Sequence, residues 1–521
     1  MNEDTSHRVF PLLACALVLL RVAQVGHAPD EADVVVAGLA ALLWWRGGSR
    51  SVDVAVAALL FGALVAVPWS RDPWVSFLSL PLVAGVGACL AAGTVVTLRR
   101  GQWTGLALGG ALHGLACAAQ RFVIWPDALA RRAELELDAA IIERMSSLRP
   151  IGLSISPDLA AAVGVAGVVG ALALVVDGGL PVLSRRFAGL LGGLALMGLL
   201  LSRSFGAVLA VAAGVVVFAL LSRSMRALLV LGVCGLGAAV AVAGRGLSAL
   251  TSSAHERVEN WRIALQAFVD APIVGQGFNR FAPAYLERRG PDDNVTRYAH
   301  SMPLQWLAET GIVGAIALVV VVAVVWRLAC SGAMTLQRRV LLGGSTALLA
   351  RGLIDYDFEV GQTAMLGALV LGTALAAEEP KKTGSKAVVV VAVVVAVCAL
   401  ALIARAVSPA LVLRFDAETA LRAVAEEGAP AEPTLLPFVD RLPPAALMVA
   451  RERLAHDDVE GARAAMAQAL ARDPGNASAL RLAVVLARAG YGDVDAALAA
   501  AARWHVALPM TPAPVVDDET R

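Results

Sequence analysis

This chain predicts an all-α fold, a polytopic helical membrane protein of about 13 transmembrane helices with a small α-helical extracytoplasmic domain at its C-terminal end. Three observations predict it. Hydrophobic residues make up 58% of the 521 residues and charged residues only 16%, where an average soluble domain carries roughly 25% charged residues. Apolar runs recur at the length a bilayer demands. The basic residues sort into alternate connections between those runs. A mean hydropathy of +0.72 excludes a disordered chain, a nucleic-acid-binding protein and a simple soluble enzyme. Forty-three basic residues oppose 42 acidic ones, so the net charge is silent about partners and only the placement of charge is informative.

A span needs about 20 mostly apolar residues, or somewhat fewer where tilt and bilayer thinning absorb the mismatch. Thirteen runs qualify, at 9–25, 32–45, 52–68, 74–97, 103–121, 159–176, 187–201, 204–221, 227–244, 308–328, 338–354, 362–377 and 387–405. The seventh and eighth are separated only by Ser202-Arg203. Alternate connections carry Arg46/Arg50, Arg99/Arg100, Arg185/Arg186, Arg223/Arg226, Arg327/Arg338/Arg339 and Lys381/Lys382/Lys386, whereas the intervening short ones carry few basic groups. By the positive-inside rule the basic connections are cytoplasmic. The N-terminus then lies inside, and the loops 122–158 and 245–302 lie outside together with everything beyond about residue 408. The six cysteines are scattered singly, without metal-ligand or disulfide spacing. Leu12-Leu13-Ala14-Cys15 faintly resembles a lipoprotein cleavage box, but the apolar run continues past Cys15 and reads as an uncleaved span.

Residues 408–521 regain ordinary charge, and a proline-rich stretch from Pro430 to Pro444 separates two helical parts. The run Asp458 to Pro474, followed by Asn476, Ala479, Leu486 and Gly490 and a second Asp493-Val-Asp-Ala-Ala run, spaces small residues helically around an Asp-Pro stop. This resembles a tetratricopeptide unit, although an Ala-rich helical hairpin has the same pattern. Either form suits contact with a protein partner better than chemistry.

Chemistry is expected where charge gathers at the outer ends of the spans. Arg203 sits between two apolar runs, in an outer connection where the basic bias does not call for it; the plain alternative is a helix-end arginine snorkelling to lipid phosphates. The loop 245–302 opens with Arg257-Val-Glu-Asn-Trp261-Arg262, passes Pro272-Ile-Val-Gly275-Gln-Gly277, and ends Tyr298-Ala-His300 before running into the tenth span. Gly275-Gln-Gly277 is too short for a nucleotide loop and reads as a tight turn. A lone histidine is more often a surface residue than a catalyst. Yet Arg203, Arg257, Arg262 and His300 come from distant parts of the chain, and the charge-derived topology puts all four on one face. Guanidinium groups offer rigid, paired donors to phosphate, and a histidine can take a proton from a hydroxyl. The set suggests attack of a hydroxyl on a lipid-linked diphosphate. No carboxylate cluster in the loop looks like a metal site, so arginine would have to neutralise the leaving group.

These elements, in this order across roughly residues 65–375, resemble the O-antigen ligase and O-antigen polymerase superfamily of bacterial membrane glycosyltransferases. The likeness rests on Trp69-Ser-Arg-Asp-Pro73, on Arg149-Pro-Ile-Gly152 to Ser156-Pro157-Asp158, and on Ser202-Arg203-Ser204. It continues with Arg257-x-x-x-Trp261, Pro272-x-x-Gly275-x-Gly277-x-x-x-Phe281, His300-Ser301 to Glu309-x-Gly311-x-x-Gly314, and Asp355-x-Asp357-Phe358. Ser301 departs from the Asn usual after the family's histidine. The resemblance implies a transmembrane domain at 1–407 with the ligase-like core inside it, and a periplasmic domain at 408–521. It implies transfer of a glycan from an undecaprenyl-diphosphate carrier to an acceptor hydroxyl on a glycan, lipid A or a protein, with inversion and with no metal or cofactor. Carried over, His300 would be the base, Arg203 and Arg257 would hold the diphosphate with Arg262 as the next candidate, and Glu309, Tyr298 and Asp355 would support them. A protein O-oligosaccharyltransferase of the same superfamily and a non-catalytic transporter of lipid-linked glycan are the competing readings.

Overall fold

The computed structural model describes residues 3–23, 31–45, 49–135, 137, 139–223, 247–291, 293–376, 386–407, 416–426 and 428–508. Every regular element among them is helical, as expected. The first span is α1 (Glu3–Ala23), followed by α2 (Glu31–Trp45) and α3 (Arg50–Ala66). The fourth is broken into α4 (Pro73–Leu78) and α5 (Leu80–Gly93). Asp72 caps α4 by accepting from the Val75 amide at 3.2 Å, and Pro81 near the start of α5 removes a donor that the break would orphan. Next come α6 (Arg99–Ala119), the short α7 (Trp125–Ala130) and α8 (Ala139–Ser146), then α9 (Pro157–Val175), α10 (Val182–Ser202) and α11 (Phe205–Ser222). The expected ninth span, 227–244, lies outside the described residues.

After it follow α12 (Leu247–Asp270), the short α13 (Phe281–Leu286), α14 (Met302–Cys330), α15 (Leu336–Gly352), α16 (Gly361–Leu375) and α17 (Lys386–Val407). Among the described residues, six helical stretches are long and apolar enough to cross a bilayer, and five shorter apolar helices accompany them. This is a multi-pass membrane protein. α15 is in neither group: Arg338, Arg339 and Arg351 lower its hydropathy.

Contacts across the bundle sort the helix ends into two faces. At one, Arg99 donates to the Ala376 carbonyl, Arg100 pairs with Asp177, and Gln337 donates to the Ala173 carbonyl. At the other, Arg149 donates to the Ser202 carbonyl, Ser76 to the Phe278 carbonyl, and Arg257 to the Ile354 carbonyl. The connections carrying Arg99, Arg100 and Gln337 thus share one face, and the segments carrying candidate site residues share the opposite one. One continuous apolar core runs between the faces through the bundle, where small residues bring backbones together.

Residues 416–508 form α18 (Ala417–Glu426), α19 (Ala431–Leu435), α20 (Pro443–Ala455), α21 (Val459–Arg472), α22 (Ala477–Leu486) and α23 (Val494–Arg503). They bury apolar clusters of their own, rich in alanine and leucine. Asp458, Asn476 and Asp493 each accept a hydrogen bond from a first-turn amide of the helix they precede.

Candidate active site

Arg203 ends α10 in the left-handed region (φ 51°, ψ 34°), and Ser204 begins α11 at once. A left-handed non-glycine residue costs roughly 1–2 kcal/mol. The turn persists because its neighbours fix it. Ser204 Oγ accepts from the Ala207 amide at 3.3 Å, while Arg149 Nε holds the Ser202 carbonyl at 3.1 Å and Arg149 pairs with Asp158. The strained turn leaves the Arg203 side chain exposed.

His300 is the second left-handed residue of the set, at φ 54°. Its backbone is held at its own carbonyl and at the preceding amide. Trp261 Nε1 donates to the His300 carbonyl at 3.3 Å, and the preceding Ala299 amide donates to Gln305 Oε1 at 2.9 Å. Gln305 Nε2 in turn donates to Glu309 at 3.1 Å. The imidazole stands edge-on against the Tyr356 ring, 4.9 Å away, and its Nδ1 lies 3.4 Å from Asp355 Oδ1. Burial pushes the Asp355 carboxyl up, but His300, Arg351 and Arg257 together hold it below the usual carboxylate range. Asp355 is therefore an anion beside the imidazole. Tyr356 stacks flat on Tyr298 at 4.8 Å and donates to Ser156 Oγ at 2.9 Å. Burial raises both phenols, Tyr298 to about 12, so both stay protonated.

Arg257 and Trp261, one helical turn apart on α12, face this loop: Arg257 Nε donates to the Ile354 carbonyl at 3.0 Å, one residue before Asp355. Arg262 points elsewhere. It pairs with Glu259 at 2.6 Å and lies 4.0 Å from Asp293, so its position five residues after Arg257 takes it off the shared face. Glu309 is buried and accepts from the amides of Asn279 (2.8 Å) and Phe281 (3.1 Å) as well as from Gln305. It ties the start of α14 to the loop before α13.

The Pro-x-x-Gly-x-Gly segment has a definite task. α14 is broken at Gly311, where φ is 62° and ψ −158°. Residues 272–277 fill the break with backbone hydrogen bonds: Gln276 N to Ala308 O, Gly277 N to Glu309 O, Ile312 N to Pro272 O and Val313 N to Ile273 O, at 2.9–3.2 Å. A Cβ on Gly275 would fall 2.2 Å from the Glu309 carbonyl carbon, and one on Gly311 would fall 2.4 Å from Ile273 O. Only glycine permits this approach, and it sets the short helical piece that follows His300 apart from the rest of α14.

Arg203, Arg257, His300, Tyr298 and Asp355 are thus brought to one face around a common network, Glu309 supports it from below, and Arg262 lies to the side. The principal residue that sequence reasoning missed is Arg351. It has no exposed surface, donates to Asp357 through Nε (2.5 Å) and Nη2 (2.9 Å), and reaches Asp355 and Ser204 at 3.3 Å each. An arginine inside an apolar run was the signal for it. Tyr356, between two noted aspartates, gave no such signal. No group of three or more His, Cys, Asp or Glu positioned to hold a metal occurs among the described residues.

These features define a multi-pass membrane protein with a polar, arginine- and histidine-bearing site at one end of its helices. Residues 190–319 match the family model described as O-antigen ligase. The match covers this segment of the chain and supports a place in the O-antigen ligase superfamily, a family of membrane glycosyltransferases of ligase and polymerase type. The matched segment contains Arg203, Arg257, Arg262, Tyr298, His300 and Glu309; Arg351 and Asp355 lie beyond it. No curated protein matches the chain.

Proposed function

We propose that this protein transfers a glycan from an undecaprenyl-diphosphate carrier to an acceptor hydroxyl, at the periplasmic face of a bacterial inner membrane. The observation that carries the reading is the His300–Asp355 pair, set on the same face as Arg203 and Arg257. With its proton on Nδ1, the side that faces Asp355, the imidazole presents the lone pair of Nε2 to a hydroxyl proton. The acceptor oxygen attacks the anomeric carbon from the side opposite the diphosphate, the carbon–oxygen bond to phosphate breaks, and configuration inverts. The hydroxyl proton goes to His300, and the electron pair leaves with undecaprenyl diphosphate. Arg203 and Arg257 neutralise that developing anion in place of a metal.

Charge sorting supports the orientation, since the face rich in Arg99, Arg100, Arg327 and Arg338 is the one expected inside. Residues 408–521 then hang on the donor side as a tetratricopeptide-like module for a protein partner or acceptor. The ion pairs Arg472–Glu287 and Asp473–Arg289 join that module to the 281–300 loop, which favours a polymerase or a protein-directed transferase over a ligase acting on lipid A alone.

The test is a reaction of purified full-length protein with lipid-linked glycan and separate glycan, lipid A and peptide acceptors, read by mass. His300→Ala is expected to lower transfer by at least about 100-fold, within the range of positioned general bases, while the protein still inserts. Arg257→Ala should also abolish detectable product. Normal product from both variants would sink the reading and leave a transporter as the better account.

A further inference from the structure

We infer that Arg351 is a positioning residue that fixes the donor-binding turn and the catalytic base relative to one another. This rests on the transferase reading above. Arg351 lies near the end of α15 and is wholly buried. Its three nitrogens serve two different segments, the 355–357 loop and the turn at 203–204. Nε and Nη2 fork onto Asp357 at 2.5 and 2.9 Å; Nη2 also reaches Asp355 Oδ2 at 3.3 Å; Nη1 reaches Ser204 Oγ at 3.3 Å.

The last two bonds carry the inference. Asp355 uses its other oxygen, Oδ1, toward His300 Nδ1 at 3.4 Å. Ser204 follows Arg203 directly and caps α11. A single planar cation therefore spans from the carboxylate that orients the base to the hydroxyl that seats the strained turn carrying Arg203. A salt bridge serving the fold alone would be complete with Asp357. Guanidinium is the side chain suited to the task, because its donors diverge in one rigid plane, and a lysine ammonium offers neither the fork nor the reach. In an in-line displacement the acceptor oxygen and the leaving diphosphate must lie on opposite sides of the anomeric carbon. The separation of His300 from Arg203 is thus itself a catalytic parameter, and a misplacement of about 1 Å can cost about 100-fold in rate.

The experiment compares full-length wild type, Arg351→Lys, Ser204→Ala and His300→Ala in nanodiscs. Undecaprenyl diphosphate itself titrates the donor-competent sites, so that misfolded protein is not counted. Transfer is then measured per site with an ordinary sugar-alcohol acceptor and with a phenolic acceptor, whose more acidic hydroxyl needs less help from a base. Arg351→Lys is expected to lose about 100-fold per site with the alcohol. Its affinity for undecaprenyl diphosphate should change less than about threefold, and the phenolic acceptor should recover about tenfold of the loss. Ser204→Ala, which leaves no buried charge unpaired, should show the same pattern at about tenfold and keeps the test decisive if Arg351→Lys does not fold. Wild-type rates per site in both variants would overturn the inference. So would a loss of undecaprenyl-diphosphate affinity equal to the loss of rate, or a deficit that the phenolic acceptor leaves unchanged. Should His300→Ala transfer normally, the base assignment itself falls. Should only the Arg351 and Ser204 variants behave as wild type, that assignment stands and the positioning role alone is lost.

Discussion

At the scale of single residues, Arg203 and His300 share an unusual backbone state. Both are non-glycine residues in the left-handed region, and both are held there by neighbours that contribute specific bonds. Such strain persists only when the surroundings over-determine it, and it gathers at sites where a side chain must be aimed. Arg203→Gly removes the steric cost of the turn and the guanidinium together. Its unfolding temperature in detergent is expected to equal or exceed that of wild type, while affinity for undecaprenyl diphosphate falls by about tenfold, the scale of one charge-assisted hydrogen bond. Unchanged affinity would separate Arg203 from the donor. Asp355 permits a pH prediction. Its carboxyl is held below the ordinary value near 3.9, so its stabilising contribution is fully present above that value and is lost as pH falls through the depressed one. The difference in melting temperature between wild type and Asp355→Asn should shrink as pH falls below about pH 4. A thermal unfolding series from neutrality downward checks it, and a difference that fades near neutrality would contradict the carboxylate assignment.

At the scale of elements, the break in α14 is the informative feature. A helix crossing a membrane must satisfy its own backbone, and non-helical backbone is tolerated where protein supplies the missing partners. Here the 272–277 segment supplies them, and the sequence cost is glycine at 275, 277 and 311. Gly275→Ala would drive a methyl into the Glu309 carbonyl while occupying a positive φ, so it should destabilise the protein by about 1–3 kcal/mol. Hydrogen exchange is the sensitive measurement. Protection should drop at 308–313 and 272–277 together, because the two segments share the same bonds, and loss in one without the other would contradict the interlock. α12 teaches the complementary lesson. Helical periodicity places Arg257 and Trp261 on one face and Arg262 off it, and that much was readable from spacing. The face turned toward His300 was not, because both faces of α12 carry charge.

For the molecule as a whole, the C-terminal helices dock on the loop that leads to His300. Glu287, just after α13, is clamped between Arg71 of the 69–73 loop and Arg472 of α21. Arg289 pairs with Asp473 at 3.3 Å and lies over the Trp504 ring at 4.9 Å. These ion pairs are partly buried, so removing one partner leaves a charge unpaired away from full solvent. Glu287→Arg would set a third arginine between Arg71 and Arg472. Exchange should then rise in 459–472 and 477–486 and stay unchanged in 80–93. Transfer to a small acceptor should persist, and selectivity among large acceptors should fall. Equal exchange in wild type and Glu287→Arg would mean that the docking does not depend on this clamp.

Several features were legible in the sequence for simple physical reasons. Apolar runs of bilayer length can only become helices in a membrane, and the charges between them must sort by face. The glycines of 275–277 announced a turn because few other residues adopt positive φ. The Arg and His set was legible as a set because topology alone puts those residues on one face. What the three-dimensional packing decided was who touches whom: that Asp355 meets His300, that Arg262 turns away, and that Glu309 supports the loop through Gln305. It also decided that Arg351, near the end of α15, reaches Ser204 as well as Asp355. Periodicity assigns a residue to a face of its own helix, but the partner across a gap depends on how separate helices rotate and stagger against each other. That choice is made by the packing of small residues along the whole bundle, and no local stretch of sequence encodes it.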